Sequence, residues 1–273
     1  MARLLTGLIG GSLVLLAILY LPELGFFLLC AVVFVICAWE FTRIARRWAP
    51  HLPVALVPIL TLALAGTMLL ALARQASADQ WRELVLAAGL LLAAGIGCFV
   101  LLSRVPVEES LPTVGSAAFG ALYLATPLVS VVQLRELDPL LLCLVLAILW
   151  GGDTAAFYAG SRFGRHKLAP VVSPKKSWEG AAACFLAALV ITTAWSWWQL
   201  GYVEPKWLLL AALTSIVAQL GDLVESTFKR GAGTKDSGNL LPGHGGLLDR
   251  LDSLFFGAPL MLLGIWLLAP PLR

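Results

Sequence analysis

The chain has little charge. Only 13% of its 273 residues are Asp, Glu, Lys or Arg, against about 25% in an ordinary soluble domain. Its mean hydropathy is +0.90, and 60% of its residues are hydrophobic. That balance excludes a solvated globule and points to an integral membrane protein. The net charge of +3 implies no nucleic-acid partner. Paired cysteines are also missing. Cys30, Cys37, Cys98, Cys143 and Cys184 stand singly in apolar runs, none in a CxxC pattern or beside a histidine. This excludes a disulfide framework and a zinc centre. There is no GxxxxGK[ST] loop, no Ser-His-Asp arrangement, no internal repeat and no low-complexity tract.

Long apolar runs are what the sequence has instead. A bilayer span takes about 20 apolar residues. Nine windows qualify, at 4–20, 23–41, 53–73, 84–102, 114–134, 139–160, 179–200, 206–228 and 252–269. The expected fold is an all-α integral membrane protein, a polytopic bundle of about nine transmembrane helices. The opening Met1-Ala2-Arg3 imitates a signal peptide, but no small-residue cleavage site follows, so it reads as the first membrane helix. Prolines 50, 53, 106, 112, 139, 174 and 205 fall at or between span boundaries, and Pro58 and Pro127 fall inside spans as candidate kinks. With nine spans, fourteen lysines and arginines lie on the side of the N-terminus and five on the other. The positive-inside rule makes the first side cytoplasmic. The connections 161–178 and 229–251 are the charged ones.

One polar stretch lies between two apolar segments near the end. Asp222, Glu225, Ser226 and Lys229 fall on one face of a helix. Asp249, Asp252 and Ser253 fall at i, i+3 and i+4 at the start of the next apolar run, where negative charge suits a helix N-terminus. Between them lie Gly231, Gly233, Gly238, Gly243, Gly245 and Gly246. Glycine lets backbone N–H groups approach a ligand. Carboxylates, cations and bare backbone suit a metal–phosphate site, and charge at the edge of a bilayer is costly enough to favour function over a plain capped loop.

The order Ser226-x-x-Lys229-Arg230-x-x-x-x-Lys235-Asp236-x-Gly238-x-x-x-Pro242-x-His244-Gly245-Gly246-x-x-Asp249-Arg250-x-Asp252 resembles the signature of phosphatidate cytidylyltransferases, or CDP-diacylglycerol synthases. Gly151-Gly152-Asp153 and Ser173-Pro174-Lys175-Lys176-Ser177-Trp178-Glu179-Gly180 are similar to that family as well. The likeness covers roughly the C-terminal half. It implies N-terminal transmembrane helices over 1–110 and a catalytic transmembrane region over 111–273. The implied reaction joins CTP and phosphatidate into CDP-diacylglycerol and pyrophosphate. It implies catalytic roles for Asp222, Asp249, Lys229, Lys235 and His244. Ser173, Lys175, Lys176, Ser226, Arg230, Asp236, Gly245, Gly246 and Arg250 are the implied substrate-binding set.

Read without the family, Lys175 and Lys176 are either a cytoplasmic anchor or a polyphosphate site at a helix entrance; the resemblance favours phosphate. His244 can bind phosphate, act as an acid or cap the glycine turn. Asp222 and Asp249 are the first candidates for metal ligands, with Asp153 and Asp252 beside them. Oxygen donors next to phosphate imply Mg²⁺, and the family points the same way. The expected partners are CTP, phosphatidate and the lipid bilayer, with a homodimer suggested by the family alone. The expected location is a bacterial inner membrane, with the site facing the cytoplasm. Two other classes fit part of the pattern. A CTP-dependent lipid kinase would release CDP instead of pyrophosphate. An ion-coupled transporter would show inverted repeats and polar residues in both halves, whereas here the N-terminal half is almost wholly apolar.

Overall fold

The computed structural model describes residues 2–73, 95–96, 105–240 and 245–268. Its helices are α1 (Ala2–Tyr20), α2 (Glu23–Ala45), α3 (Leu56–Ala73), α4 (Val107–Leu137), α5 (Pro139–Phe163), α6 (Trp178–Leu200), α7 (Pro205–Gly231), α8 (Leu248–Leu251) and α9 (Leu254–Leu268). A two-stranded antiparallel hairpin joins α5 to α6, with β1 at Lys167–Ala169 and β2 at Ser173–Ser177. The helical reading of the chain holds, apart from this hairpin, which occupies the connection 161–178. The count of nine spans is not established. Among the described residues, six segments are long and apolar enough to cross a membrane: α2, α4, α5, α6, α7 and the run Leu248–Leu268. The first and third windows fall on shorter apolar helices, Gly10–Tyr20 and Leu56–Leu70. The fourth, 84–102, lies outside the described residues except for 95–96.

The helix ends follow local chemistry. Ser177 caps α6, its hydroxyl accepting from Gly180 N at 3.1 Å, and Gly201 closes the other end with φ of 78°. Asp138 caps α5 by accepting from Leu140 N, with Pro139 at the first position, where its missing N–H costs nothing. Pro112 is not at a boundary as expected. The helix begins five residues earlier, at Val107, so Pro112 and Pro127 both lie inside α4.

The chain divides into two compact units that do not follow sequence order. The first comprises residues 1–26, 130–230 and 250–273. In it, small residues let helices approach closely, as expected where lipid supplies no hydrophobic drive between helices. A Cβ on Gly152 would lie 2.7 Å from Cys184 Sγ, and one on Gly180 would lie 3.0 Å from the Ala156 carbonyl oxygen. These glycines bring α5 against α6. Gly221 does the same for α7 and α9, where a Cβ would sit 2.6 Å from the Phe256 ring. Arg135, in the last turn of α4, donates from Nε to Ile18 O at 3.1 Å and also to Leu21 O, satisfying carbonyls at the end of α1. The second unit comprises residues 27–129 and 231–249. Its core includes Phe34, Phe41, Leu124 and Leu128, and Phe119 and Tyr123 stack at 5.5 Å between ring centroids.

Candidate active site

In the first unit, α5, the hairpin, α6 and α7 bring a set of charges together. Lys176, on β2, places its Nζ 2.5 Å from Asp222 Oδ2 on α7. Asp222 Oδ1 accepts from Ser226 Oγ one turn on, at 3.3 Å. Asp153 on α5 lies within electrostatic reach of Asp222, Lys176 and Arg250. Asp252 feels Asp222, Asp153 and Lys229. Glu225 and Lys229 form a buried ion pair at 2.9 Å, with side chains 1% and 10% exposed. The face of α7 expected from spacing therefore exists, and it splits into two pairs, Asp222–Ser226 and Glu225–Lys229.

A cavity of about 600 Å³ opens beside this set. Its lining mixes polar and apolar groups: Asp153, Lys175, Lys176 and Ser177 stand beside Ala156, Phe157, Gly160 and Ala181. Asp153, Ala156, Phe157 and Gly160 fall on one face of α5, and Phe157 is 69% exposed. A smaller pocket lies deeper, lined by Asp153, Lys176, Asp222 and Ser253 among others. The hairpin positions the lysines. Glu179 accepts from His166 N at 3.2 Å and lies 2.7 Å from His166 Nδ1, while Trp178 N donates to His166 O at 3.0 Å. This fastens the hairpin base to the first turn of α6. At the hairpin's far end, Arg230 Nε donates to Val172 O at 3.3 Å, so Arg230 is engaged with protein in this structure.

The remaining expected residues belong to the second unit. Both oxygens of Asp249 accept from Ser237 N, at 3.2 and 2.9 Å, and Oδ2 also accepts from Gly246 N at 2.8 Å. Asp249 thereby closes the glycine-rich segment on itself. Gly245 has φ of 83°, a backbone value that favours glycine. Lys235 and Asp236 are exposed, and they share a polar pocket of about 580 Å³ with Arg43, Arg46 and Arg47. His244, with Pro242, lies outside the described residues. The spacing argument that put Asp249, Asp252 and Ser253 on the face of one helix is corrected. The helix stops at Leu251 and restarts at Leu254, with a turn at 252–253 in which Asp252 Oδ1 accepts from Ser253 N at 2.7 Å. The side-chain bond of Asp252 to Ser253 N competes with the backbone there and favours the turn.

Among the described residues, no three His, Cys, Asp or Glu side chains gather closely enough to chelate an ion as they stand. The donor chemistry nevertheless suits a hard cation. Asp153, Asp222 and Asp252 repel one another in an apolar bundle, and an ammonium, that of Lys176, already sits on Asp222.

Sequence reasoning passed over Glu40 on α2. It is 1% exposed, and its carboxylate accepts from Ser237 Oγ, Leu247 N and Leu248 N. The signal was present: a lone acid inside an apolar window, the same cue that singled out Asp153.

Fold and site together define a polytopic membrane protein in which acidic and basic side chains, drawn from several helices and the hairpin, line a cavity together with apolar groups. The profile of the cytidylyltransferase family matches residues 1–268, and the chain belongs to that family. Among curated relatives, it is 39% identical over 152 residues to the phosphatidate cytidylyltransferase of Bacillus subtilis, covering 54% of this chain and 56% of the relative. It is 43% identical over 128 residues to that of Pseudomonas aeruginosa, covering 46% and 47%. It is 46% identical over 116 residues to that of Staphylococcus aureus, covering 42% and 44%. The chain spans about half the length of the curated relatives it matches.

Proposed function

We propose that the protein transfers the cytidylyl group of CTP to phosphatidate, giving CDP-diacylglycerol and pyrophosphate. The observation that carries this reading is a cavity lined by both cations and apolar groups. It holds Lys175 and Lys176, with Asp222 bound to the latter, beside Ala156, Ala181 and exposed Phe157. Such a cavity fits a reaction between a soluble polyphosphate and an amphiphile that stays in the leaflet.

The chemistry asks little of a general base. The lipid phosphate monoester, with a second pKa of about 6 by analogy to phosphorylated side chains, is already anionic at neutral pH. One of its oxygens attacks the α-phosphorus in line. The bond from that phosphorus to the bridging oxygen breaks, and pyrophosphate leaves with the electron pair. The barrier is the repulsion between two anions, so binding and charge compensation supply most of the catalysis. Lys175 and Lys176 bind the triphosphate, with Ser173 and Ser177 at the entrance to α6. Lys229 and Arg250 balance the carboxylates. Lys235, Asp236, Gly245, Gly246 and His244 serve from the glycine-rich segment, and Ser226 and Arg230 from α7. In the first unit Asp222, with Asp153 and Asp252, would hold Mg²⁺, and in the second unit Asp249 is a candidate ligand in its own right. The ion would offset charge on the reacting phosphates and on the leaving pyrophosphate.

The same reading assigns the protein to a bacterial inner membrane, and with nine spans the excess of lysine and arginine on the side of the N-terminus supports a site facing the cytoplasm. A homodimer is the assembly that the family likeness suggests, and mass measurement in detergent decides it. The activity test is pyrophosphate release by the purified protein with CTP, phosphatidate and Mg²⁺. Release that requires all three supports the reading. CDP as the product, or no turnover from folded protein across several phosphatidates, overturns it.

A further inference from the structure

Glu40 lies in the apolar sequence Cys37-Ala38-Trp39-Glu40-Phe41 of α2, where a carboxylate is costly unless fully satisfied. Its oxygens are satisfied from one direction. Oε2 accepts from Ser237 Oγ at 3.0 Å and from Leu248 N at 2.8 Å, and Oε1 accepts from Leu247 N at 3.2 Å. All three donors belong to the segment 231–249, about 200 residues away in sequence. Bonds to an ionised acceptor are about twice as strong as neutral ones. The carboxylate also crowds the segment. A Cβ on Gly238 would lie 2.5 Å from Oε1 and 3.1 Å from Cδ. One on Gly246 would meet Ser237 Oγ first and then Oε2 at 2.5 Å. Gly238 thus has no room for a side chain beside Glu40, and Gly246 none beside the Ser237–Glu40 pair. Asp249 grips the same residues through the backbone, from Ser237 N and Gly246 N. Ser237 is thus held twice, by its hydroxyl to Glu40 and by its amide to Asp249.

We infer that Glu40 is a positioning residue for the transfer reaction, acting through the glycine-rich segment. With Asp249 it fixes the backbone at Ser237 and at Gly246–Leu248, and so sets where Lys235, Asp236 and Gly245 stand beside those anchors. The inference rests on the proposed activity for its kinetic part. Its structural part stands without it.

The test uses the full chain in detergent with four variants: Glu40→Gln, Glu40→Asp, Gly238→Ala and the double variant Glu40→Asp/Gly238→Ala. Glutamine keeps the shape but loses the charge and turns an amide N–H₂ towards donors. It is expected to lower kcat for pyrophosphate release per folded molecule by about 10–100-fold, with a smaller change in KM for CTP. Amide exchange across 237–248 should speed up while α5 and α6 keep their protection. Aspartate is one methylene shorter and makes room for the methyl group that Gly238→Ala adds. The double variant should therefore recover about threefold or more of the activity and loop protection lost in Gly238→Ala. A purely structural Glu40 would lower the yield of folded protein and leave kcat per folded molecule unchanged, which overturns the inference. Multiplying defects in the double variant also overturn it, as does unchanged exchange in Glu40→Gln. An inactive wild type with the expected exchange pattern sinks the activity and keeps the anchor. An active wild type matched by Glu40→Gln keeps the activity and sinks the anchor.

Discussion

Replacing Lys176 by methionine separates a working ion pair from a decorative one. The Lys176 Nζ to Asp222 Oδ2 distance is 2.5 Å, and the two side chains are 27% and 28% exposed. At that distance and an effective dielectric of about 20, the attraction is roughly 6–7 kcal/mol. Desolvation of both ions and screening through the exposed quarter remove most of this. A net loss of about 1–2 kcal/mol in stability is expected, larger than for an exposed pair because Asp222 is left facing Asp153 and Asp252. The loss should appear as a lower Tm in detergent. Adding Asp222→Leu to the methionine variant should recover most of it, since removing both charges removes the uncompensated one. Activity should behave differently. Losing a cation from the phosphate site is expected to lower kcat by about 10²–10³-fold, and the double variant should stay inactive. Lys176→Arg should retain part of the activity, its fork being a poorer match to a site built around one ammonium. A methionine variant with wild-type Tm and kcat within twofold would refute both the energetic reasoning and the placement of Lys176 in the site.

Two further outcomes follow from packing and capping, and a third from the carboxylates of the site. Gly152→Leu would drive a side chain into Cys184 at the α5–α6 contact, where even a Cβ would lie 2.7 Å from the sulfur. The cost is expected to be at least 1–3 kcal/mol, read as loss of folded protein on size exclusion. Ser177→Ala removes the α6 cap, which accepts from Gly180 N at 3.1 Å in a buried setting, and should lower stability by about 1 kcal/mol with a matching fall in Tm. Asp222→Asn should raise the Mg²⁺ concentration needed for half-maximal pyrophosphate release and leave the mass of the assembly unchanged. An unaltered Mg²⁺ requirement would remove Asp222 from the ligand set.

The helices were legible because a membrane demands long apolar runs, and hydropathy reads those directly. The site was legible where chemistry recurs at helical spacing: Asp222 with Ser226 and Glu225 with Lys229 are i, i+4 pairs in sequence and in structure. What failed was continuity. The spacing of Asp249, Asp252 and Ser253 fits one helix, but Asp249 binds Ser237 N and Gly246 N, and a turn follows at 252–253. Periodicity carries no information about a partner twelve residues back. The hairpin was missed for a similar reason. Its strands, three and five residues long, are shorter than any hydrophobic pattern can reveal, and their base is held by the polar contacts of Glu179 and His166. Glu40 is invisible to a search for clusters of charge, because it stands alone in its own stretch of sequence while its partners lie about 200 residues away.

Asp249 shows why the loss of activity in an acid variant does not by itself identify a metal ligand. A carboxylate offers about four acceptor positions. Asp249 accepts from Ser237 N with both oxygens and from Gly246 N with Oδ2. Asparagine at this position keeps one oxygen and turns an N–H₂ towards a backbone N–H, so the segment loosens whether or not an ion is bound. Asp249→Asn should therefore speed amide exchange over 237–248 in Mg²⁺-free buffer, in the same region as Glu40→Gln. If Asp249 also holds the ion, its variant alone should shift the Mg²⁺ titration of pyrophosphate release, while Glu40→Gln lowers kcat at an unshifted midpoint. Coinciding midpoints with matched exchange would make Asp249 a second clamp on the segment, leaving ion binding to Asp222, Asp153 and Asp252.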